Sequence, residues 1–363
     1  MKRGMMMGAH SQENKKVGAG KVFLRILLVW LIVIVVIAGI LAGVAAFYVG
    51  DKLGKIEVEE VDEGEVGIAE ETKKDLAEYR NIAIFGIDSR ADNYNKGNRS
   101  DCIIIASINQ KTKDIKLISV YRDTYLLLEE NGKQVLDKVT HAYAYGGAQG
   151  AMKALNTNLD LNITECITVN FDAVIAAIDA IGGVTIDLDD AEVKYANKYI
   201  TDLAEETNNR TEANLIKNSG KQTLTGAQAL AYSRIRYTSG GEHKRTERMR
   251  VVIEAMLSKA KTLSVGKLNN LIDTIFPKVK TTNLTSGEII SLVPSLASYN
   301  ITDSVGWPYN SKGTPTGIYY GVPVTLESNV LQLHQEVFGQ EDYVVNDTIK
   351  GISNQIIKKT GYK

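Results

Sequence analysis

The chain has 363 residues, of which 44% are hydrophobic and 23% charged, and its 42 lysines and arginines nearly balance 43 aspartates and glutamates. A nucleic-acid-binding protein usually carries a clearly basic domain, so this composition favours a protein with no nucleic acid partner. No His-Glu-x-x-His or Gly-x-Ser-x-Gly pattern occurs in the chain, so neither zinc-dependent hydrolysis nor serine hydrolase chemistry has support.

The first predicted element is an apolar segment near the N-terminus. Residues 26–49 contain no charged side chain. A helix over these residues would be about 36 Å long, enough to cross a bilayer core of about 30 Å. The apolar region of a cleaved signal peptide is only about 7–15 residues long. An uncleaved transmembrane anchor is therefore favoured over a signal peptide, which is the alternative.

The charges on either side of this segment predict its orientation. Basic residues clearly outnumber acidic ones over 1–25, whereas 50–79 is rich in acidic residues. Positively charged flanks of a membrane span remain in the cytoplasm. We therefore expect a single-pass membrane protein with a cytoplasmic basic tail over 1–25, an anchor over 26–49, an acidic stalk over 50–79 and the rest of the chain outside the cytoplasm.

Short apolar runs alternate with helical patterns after residue 80. The runs predict strands at 81–88, 101–109, 114–123, 163–171 and 184–190, with the second and third paired as a hairpin. Helical patterns occupy 148–159, 171–183, 224–237, 242–263, 267–279 and 285–300. This alternation predicts an α/β fold, a central mixed β-sheet flanked by helices on both faces, preceded by the single N-terminal transmembrane helix.

Charged side chains stand where three of the predicted strands begin or end. They are Asp88 and Arg90 after the first strand, Arg99 and Asp101 before the second, and Arg122 and Asp123 after the third. Ligands of α/β folds bind at the carboxyl ends of strands. We therefore expect these residues to meet at one edge of the sheet.

The residue types at this edge suit a diphosphate. Two carboxylates that face each other, here Asp88 and Asp101, could hold Mg²⁺ (or Mn²⁺) together with phosphate oxygens. The neighbouring guanidinium groups recognise phosphate through paired hydrogen bonds. The alternative is that both aspartates are ordinary loop or capping residues.

A basic stretch over 233–250 belongs to the same prediction. Arg234 and Arg236 end one predicted helix, and Arg245 and Arg248 lie in the first turns of the next. Arginine at a helix start opposes the helix dipole unless an anion lies there. We expect these arginines to contact the diphosphate and Arg250 to face solvent. A solvated helix face is the alternative, as for most charge runs.

Seven motifs in a fixed order now resemble a known family. They are GIDSRAD, RSD, ISVYRDTY, KVTHAYAYGG, IGGVTIDL, LTGAQALAYSRIRY and KRTERMR. The set resembles the LytR–CpsA–Psr family of bacterial membrane-anchored proteins, which attach glycopolymers to the cell wall. The likeness covers about residues 80–262, within an expected extracytoplasmic domain over 80–345 that is followed by a C-terminal tail over 346–363.

The resemblance implies an activity, a cofactor and a set of site residues. The activity is transfer of a phosphorylated glycan, such as teichoic acid, capsule or another wall polymer, from a polyprenyl-diphosphate carrier to a peptidoglycan hydroxyl at the bacterial cytoplasmic membrane. Mg²⁺ would be bound by Asp88 and Asp101. The implied diphosphate-binding residues are Arg90, Arg99, Arg122, Arg234, Arg236, Arg245 and Arg248, and the implied catalytic residues are Asp88, Asp101, Arg122, Arg236 and Glu242.

The chain departs from the family pattern at three positions. Tyr121 stands where the family usually has proline, Glu242 where it has aspartate and Met249 where it has glutamine. Two other functions stay open beside transfer, a diphosphatase that uses water as the nucleophile and a non-catalytic binder or regulator of lipid-linked glycan. The apolar strands and the helix over 171–183 either line a channel for the lipid or are simply core.

Overall fold

The structure is a computed structural model that describes residues 56–87, 94, 97–206, 214–292, 297–314 and 317–363. The predicted cytoplasmic tail and membrane anchor lie outside these residues. Within the described ranges, no helix is both long and apolar enough to cross a membrane.

The strands of the described ranges form one large sheet and three small ribbons. They are β1 (Glu57–Glu59), β2 (Tyr79–Ile87), β3 (Ser100–Asn109), β4 (Asp114–Val120), β5 (Tyr125–Glu130), β6 (Lys133–Lys138), β7 (Glu165–Val169), β8 (Val184–Leu188), β9 (Gly220–Leu224), β10 (Val279–Thr282), β11 (Asn300–Trp307), β12 (Ser311–Gly313) and β13 (Gly321–Pro323). Seven of them form a mixed sheet in the order β1-β10-β7-β2-β3-β4-β11, while β5–β6, β8–β9 and β12–β13 form separate pairs.

Helices cover the sheet. They are α1 (Glu70–Asp75), α2 (Thr140–Leu159), α3 (Phe171–Ala180), α4 (Asp190–Glu206), α5 (Gly226–Ser233), α6 (Gly241–Ala260), α7 (Val265–Ile275), α8 (Ser286–Leu292), α9 (Leu326–Phe338) and α10 (Asp347–Thr360). Short 3₁₀ turns lie at Glu63–Glu65 and Phe276–Lys278. This arrangement confirms the predicted mixed sheet with flanking helices.

The central strands are buried on both faces, as their continuous apolar runs predicted. Phe85 and Ile103 are paired across β2 and β3, and both lie in the main core with α2, α9 and α10. Ile104 and Leu117 point to the opposite face and are also fully buried; there α6 contacts β4 and β11. The predicted hairpin of β3 and β4 is confirmed, since the two strands are antiparallel neighbours.

A second core lies beside the sheet. It contains Ile178 of α3, Ile186 of β8, Ala196 of α4, Ile235 of the turn between α5 and α6, and Val252 of α6. The strand predicted at 184–190 is β8. It pairs with β9 outside the central sheet, and its apolar side chains lie in this second core. Tertiary packing, which a local apolar pattern does not specify, decides between the two sheets.

The ends of the described chain are more integrated than predicted. The segment expected as a stalk contributes β1 to the sheet edge and places Val66 and Leu76 in the main core. Residues 346–363, expected as a tail, form α10, whose Ile349 and Ile352 are buried in the same core. The single helix predicted at 285–300 is instead α8 followed by the start of β11, which pairs in parallel with β4.

Candidate active site

Strand pairing brings the first two site residues together. Because β3 and β4 are antiparallel, Asp101 at the start of β3 and Arg122 just after β4 lie at the same edge of the sheet. Arg122 Nη1 donates a hydrogen bond of 2.9 Å to Asp101 Oδ1. The Arg122 carbonyl accepts a 3.1 Å hydrogen bond from the Thr140 amide, so the backbone after β4 is held by the start of α2.

The turn between α5 and α6 supplies the next pair. Helix α5 begins with a capping box of Thr225 and Gln228 and ends at Ser233, so Arg236 lies in the turn that follows. Helix α6 begins after Gly240, whose φ of 93° favours glycine. As a result, Arg236 Nε lies 3.5 Å from Glu242 Oε2, and its Nη2 lies 3.9 Å from Asp101 Oδ2.

Arg245 completes the group from within α6. Its side chain is only 3% exposed. Its Nη2 donates to the Asp101 carbonyl at 2.7 Å and lies 2.6 Å from Glu242 Oε1. Arg122 Nε lies 3.2 Å from the same Glu242 oxygen. Three guanidinium groups from separate segments therefore surround two carboxylates; we call these five residues the arginine cluster.

The arginine cluster has one more positive charge than negative charges. Burial lowers the pKa of Arg245; Glu242 opposes this effect, and repulsion by Arg236 and Arg122 adds to it. Burial also acts against the charged form of Arg122, but Asp101 and Glu242 together outweigh it and raise the pKa of that guanidinium. All three arginines remain charged at neutral pH, so the cluster attracts anions.

Hydrogen-bonding capacity in the cluster is left unused. Arg245 Nε is buried and has no hydrogen-bond partner among the described residues, whereas the buried Arg122 Nε is occupied by its ion pair with Glu242 Oε1. Buried polar groups are nearly always paired, and unpaired ones often mark a site where a ligand or an ion belongs. The unpaired N–H donor of Arg245 suits an oxygen of a phosphate group.

Four other predicted site residues have no described contact with the arginine cluster. Asp88 and Arg90 are outside the described residues. Arg99 is exposed immediately before β3. Arg234 stacks on aromatic rings, with Cζ 4.9 Å from the centre of the Phe171 ring. The structure therefore assembles only part of the predicted set.

The structure does not bring Arg248 into the cluster. Its Nε donates to Glu192 Oε1 at 2.8 Å, Nη1 to the Ile235 carbonyl at 3.2 Å and Nη2 to Thr238 Oγ1 at 2.8 Å. The expectation that Arg250 faces solvent was wrong, because its Nη1 is buried and lies close to Gly306. The position of Arg250 on the helix indicates that it points away from Arg245, but it does not reveal that β11, which contains Gly306, covers the side chain.

Two charged residues that pair with predicted strand-end or site residues were not themselves predicted. Lys138 Nζ lies 2.8 Å from Asp123 Oδ1, which holds the carboxylate next to Arg122. Glu192 pairs with Arg248 from α4, a helix that the sequence analysis did not identify. An acidic residue at the start of an amphipathic segment could have indicated α4, but not its partner.

The described residues fit one half of the predicted metal site. No described residue donates a hydrogen bond to Asp101 Oδ2, and carboxylate oxygen is the ligand that Mg²⁺ prefers. The second predicted ligand, Asp88, lies outside the described residues. Among the described side chains, no group of three or more His, Cys, Asp and Glu is placed to hold a metal ion.

Comparisons with known proteins identify a family and several relatives of this chain. The model of the LytR_cpsA_psr family matches residues 51–335. The chain is 33% identical over 202 residues to the polyisoprenyl-teichoic acid–peptidoglycan teichoic acid transferase TagU of Enterococcus faecalis, covering 55% of this chain and 60% of that protein. It is 30% identical over 275 residues to the TagU transferase of Bacillus cereus, covering 74% and 83%.

Solved structures share the fold. TagT bound to LIIa-WTA superposes with a TM-score of 0.54 at 24% identity, covering 79% of this chain and 92% of that one. The protein YwtF (TagT) with bound octaprenyl pyrophosphate lipid superposes with a TM-score of 0.50 at 22% identity, covering 85% and 96%. At this level of identity the likeness establishes the architecture alone.

Proposed function

The chain belongs to the LytR_cpsA_psr family, and from this premise we propose that it transfers a phosphorylated glycan from a polyprenyl-diphosphate carrier to a peptidoglycan hydroxyl. Relatives in E. faecalis and B. cereus are named as transferases that act between polyisoprenyl-teichoic acid and peptidoglycan. One protein of the same fold carries octaprenyl pyrophosphate. These names support both the carrier and the acceptor in the proposal.

The arginine cluster carries the proposal. Arg122, Arg236 and Arg245 meet around Asp101 and Glu242 with an excess of positive charge and, at Arg245 Nε, a buried N–H donor without a partner among the described residues. A diphosphate supplies the negative charge and the acceptor oxygens that this group lacks. Donors fixed by the fold before the substrate binds cost no reorganisation during the reaction.

The reaction needs few protein groups beyond the cluster. The oxygen of a peptidoglycan hydroxyl attacks the phosphorus next to the donor sugar, and a new O–P bond forms. The bond between that phosphorus and the bridging oxygen breaks, polyprenyl phosphate leaves, and the hydroxyl proton passes to water. The guanidinium groups stabilise the charge that develops on the phosphate oxygens and on the leaving group.

Mg²⁺ belongs to the proposal as an ion held by Asp101 and Asp88. When bound, it would neutralise part of the diphosphate charge. The protein groups keep their own roles in either case. Arg245 binds a phosphate oxygen through its unpaired Nε–H group, Arg122 contributes positive charge beside it, and Arg236, the most exposed of the three arginines, orients the diphosphate from the α5–α6 turn.

The proposed location is the bacterial cytoplasmic membrane, with the N-terminus inside and the catalytic domain outside. It rests on the apolar segment over 26–49 and on the basic residues before it. The energy of the transfer is stored in the diphosphate bond of the donor, so the reaction needs no nucleotide outside the cell. Protease added to intact protoplasts should digest the large domain; its protection would contradict this orientation.

A transfer experiment tests the activity. The full chain is incubated with a polyprenyl-diphosphate glycan, labelled at the phosphate next to the sugar, and with peptidoglycan. The expected result is label bound covalently to peptidoglycan and release of polyprenyl phosphate. Label found only in free glycan phosphate would establish a diphosphatase, and binding without turnover would establish a non-catalytic binder; either outcome overturns the proposal.

A further inference from the structure

An aromatic surface adjoins the arginine cluster. Tyr195 and Tyr199 lie one helical turn apart on α4, so they share a face. The centre of the Tyr237 ring, next to Arg236 in the chain, lies 6.0 Å from that of Tyr195 and 6.5 Å from that of Tyr199. The Tyr199 and Tyr237 rings are nearly parallel, at 16°. We call these three residues the tyrosine platform.

The tyrosine platform has a fixed base and an open top. Tyr195 and Tyr199 are half-buried against the second core, which holds their rings in place. Tyr237 is 64% exposed, one of few large apolar side chains in the described ranges with so much surface in water. The exposed Lys198 lies over the ring, with Nζ 5.6 Å from the ring centre. An exposed ring held by two other rings is a preorganised contact surface.

The platform lies within electrostatic range of the arginine cluster. Burial raises the pKa of Tyr199. The positive charges of Arg236, Arg234 and Arg245 act in the opposite direction, toward a lower pKa. Arg234, two residues before Arg236 in the chain, also contacts the platform, because its Cζ lies 5.6 Å from the centre of the Tyr199 ring. A molecule that packs on Tyr237 therefore lies close to Arg236, one of the proposed phosphate-binding groups.

The chemistry of the platform suits a sugar ring. A pyranose has an apolar C–H face that packs on an aromatic ring and a rim of hydroxyl groups that requires polar neighbours. Here the phenol hydroxyls of the three tyrosines and the Lys198 ammonium over the Tyr237 ring are polar groups of this kind. An isoprenoid chain would leave those polar groups unpaired, and it would require an enclosed apolar groove.

We propose that the tyrosine platform binds a sugar ring of the peptidoglycan acceptor. This inference rests on the proposed transfer. The exposure of Tyr237 selects the acceptor over the donor: the sugar of the donor is bonded directly to the diphosphate held by the arginine cluster, in which Arg245 is buried, whereas a wall polymer reaches only a ring that projects into solvent. The platform would then hold an acceptor sugar while its neighbour presents a hydroxyl to the phosphorus.

Binding measurements on the full chain in detergent test the platform without transfer. The probes are a soluble peptidoglycan tetrasaccharide without peptides and a polyprenyl diphosphate without sugar. The substitution Tyr237→Ala should raise the Kd of the tetrasaccharide about tenfold, because the stacking ring is lost. Tyr237→Phe keeps the ring and should stay within about twofold of the unsubstituted chain. Neither substitution should change the Kd of the polyprenyl diphosphate.

The chain offers a matched control at the opposite end of the sheet. Tyr299 also has a lysine over its ring, with Lys113 Nζ 5.7 Å from the ring centre, and Lys113 lies in the turn between β3 and β4, away from Asp101. Tyr299→Ala should leave both Kd values unchanged.

The outcomes separate this proposal from the proposed function. Equal tetrasaccharide binding by the unsubstituted chain and Tyr237→Ala would overturn the platform. So would weaker polyprenyl diphosphate binding in Tyr237→Ala, which would place the ring on the carrier. A chain that binds the carrier but no tetrasaccharide also overturns the platform and leaves the proposed function intact. A chain that binds the tetrasaccharide through Tyr237 but no carrier would contradict the proposed function alone.

Discussion

Arg245 and Arg248 lie three residues apart in the first turns of α6, and both are almost completely buried, yet their surroundings differ. Arg248 donates hydrogen bonds to Glu192, Ile235 and Thr238 and has a carboxylate to itself. Arg245 shares its carboxylate with two other arginines and has a buried Nε without a partner. Burial is therefore common to both, and hydrogen-bond satisfaction distinguishes Arg248 from Arg245, the one of the two that the proposed function assigns to the diphosphate.

The cluster is tolerated because it is only partly enclosed. Arg236 keeps 38% of its side chain in solvent, so water screens part of the repulsion among the three arginines. The environment of Arg248 is dry, and a single charge there requires a single partner. Substitutions in the two environments should therefore affect different properties, activity in the first and stability in the second.

The largest effect is expected in the cluster. Asp101→Asn removes the charge between Arg122 and Arg236 and one carboxylate of the proposed metal site. Turnover should fall about a thousandfold while the chain still folds, because electrostatic stabilisation of the transition state is lost. Transfer assays and circular dichroism measure the two properties. Full activity of this variant in the presence of a chelator would show that no metal operates at Asp101.

The next effect is on stability. Glu192→Gln keeps the shape of the side chain but leaves the Arg248 charge buried without a counter-charge. The free energy of unfolding should fall by about 3 kcal/mol, as measured by denaturant titration. Inorganic diphosphate should still raise the melting temperature of this variant as much as that of the unsubstituted chain. Unchanged stability together with lost diphosphate binding would place Arg248 in the site.

A smaller effect is expected for Arg236→Lys. Lysine keeps the charge but lacks the planar fork that binds two phosphate oxygens, so the Kd for inorganic diphosphate should rise about tenfold. Arg80→Lys is the matched control, because Arg80 forms a two-point ion pair with Glu165, with both distances 2.7 Å, at the other end of β2. Equal Kd values for the two variants would reduce the cluster to a nonspecific basic surface.

The smallest effect concerns pH and extends the comparison to carboxylates. Asp137 is fully satisfied: Tyr145 donates to it at 2.6 Å, His141 Nδ1 lies at 2.8 Å and the Lys138 amide donates at 2.8 Å. Burial opposes ionisation, but these hydrogen bonds outweigh it and lower the pKa of Asp137. The folded-state pKa is thus below the unfolded one, so Asp137 stabilises the fold above about pH 4 and loses this contribution as the pH falls further.

Comparison of Asp137→Asn with the unsubstituted chain tests this sign. Denaturant midpoints of the two proteins should differ at pH 7 and converge as the pH falls toward 2. A difference that stays constant across this range would mean that Asp137 acts by packing and not by its charge.

Much of the fold follows from local patterns. Strands β2, β3 and β4 were predicted within a few residues because each is a continuous apolar run bounded by charge or by a turn. Edge strand β11 was missed, since its Asn300, Asp303 and Ser304 interrupt the apolar pattern. An edge strand has one exposed side, so its sequence is under weaker constraint than that of a central strand.

The same division applies to the site. The sequence alone determined which residues are available, because the charged positions at strand ends and the arginines of 233–250 are readable one by one, and their order matched a family. Only the tertiary structure decided which arginine is satisfied. The partner of Arg248 is 56 positions away in the chain and the Asp101 carbonyl is 144 positions from Arg245. Two guanidinium groups on one helix face have the same local pattern, and only the packing of distant segments against them determines how many acceptors each one meets.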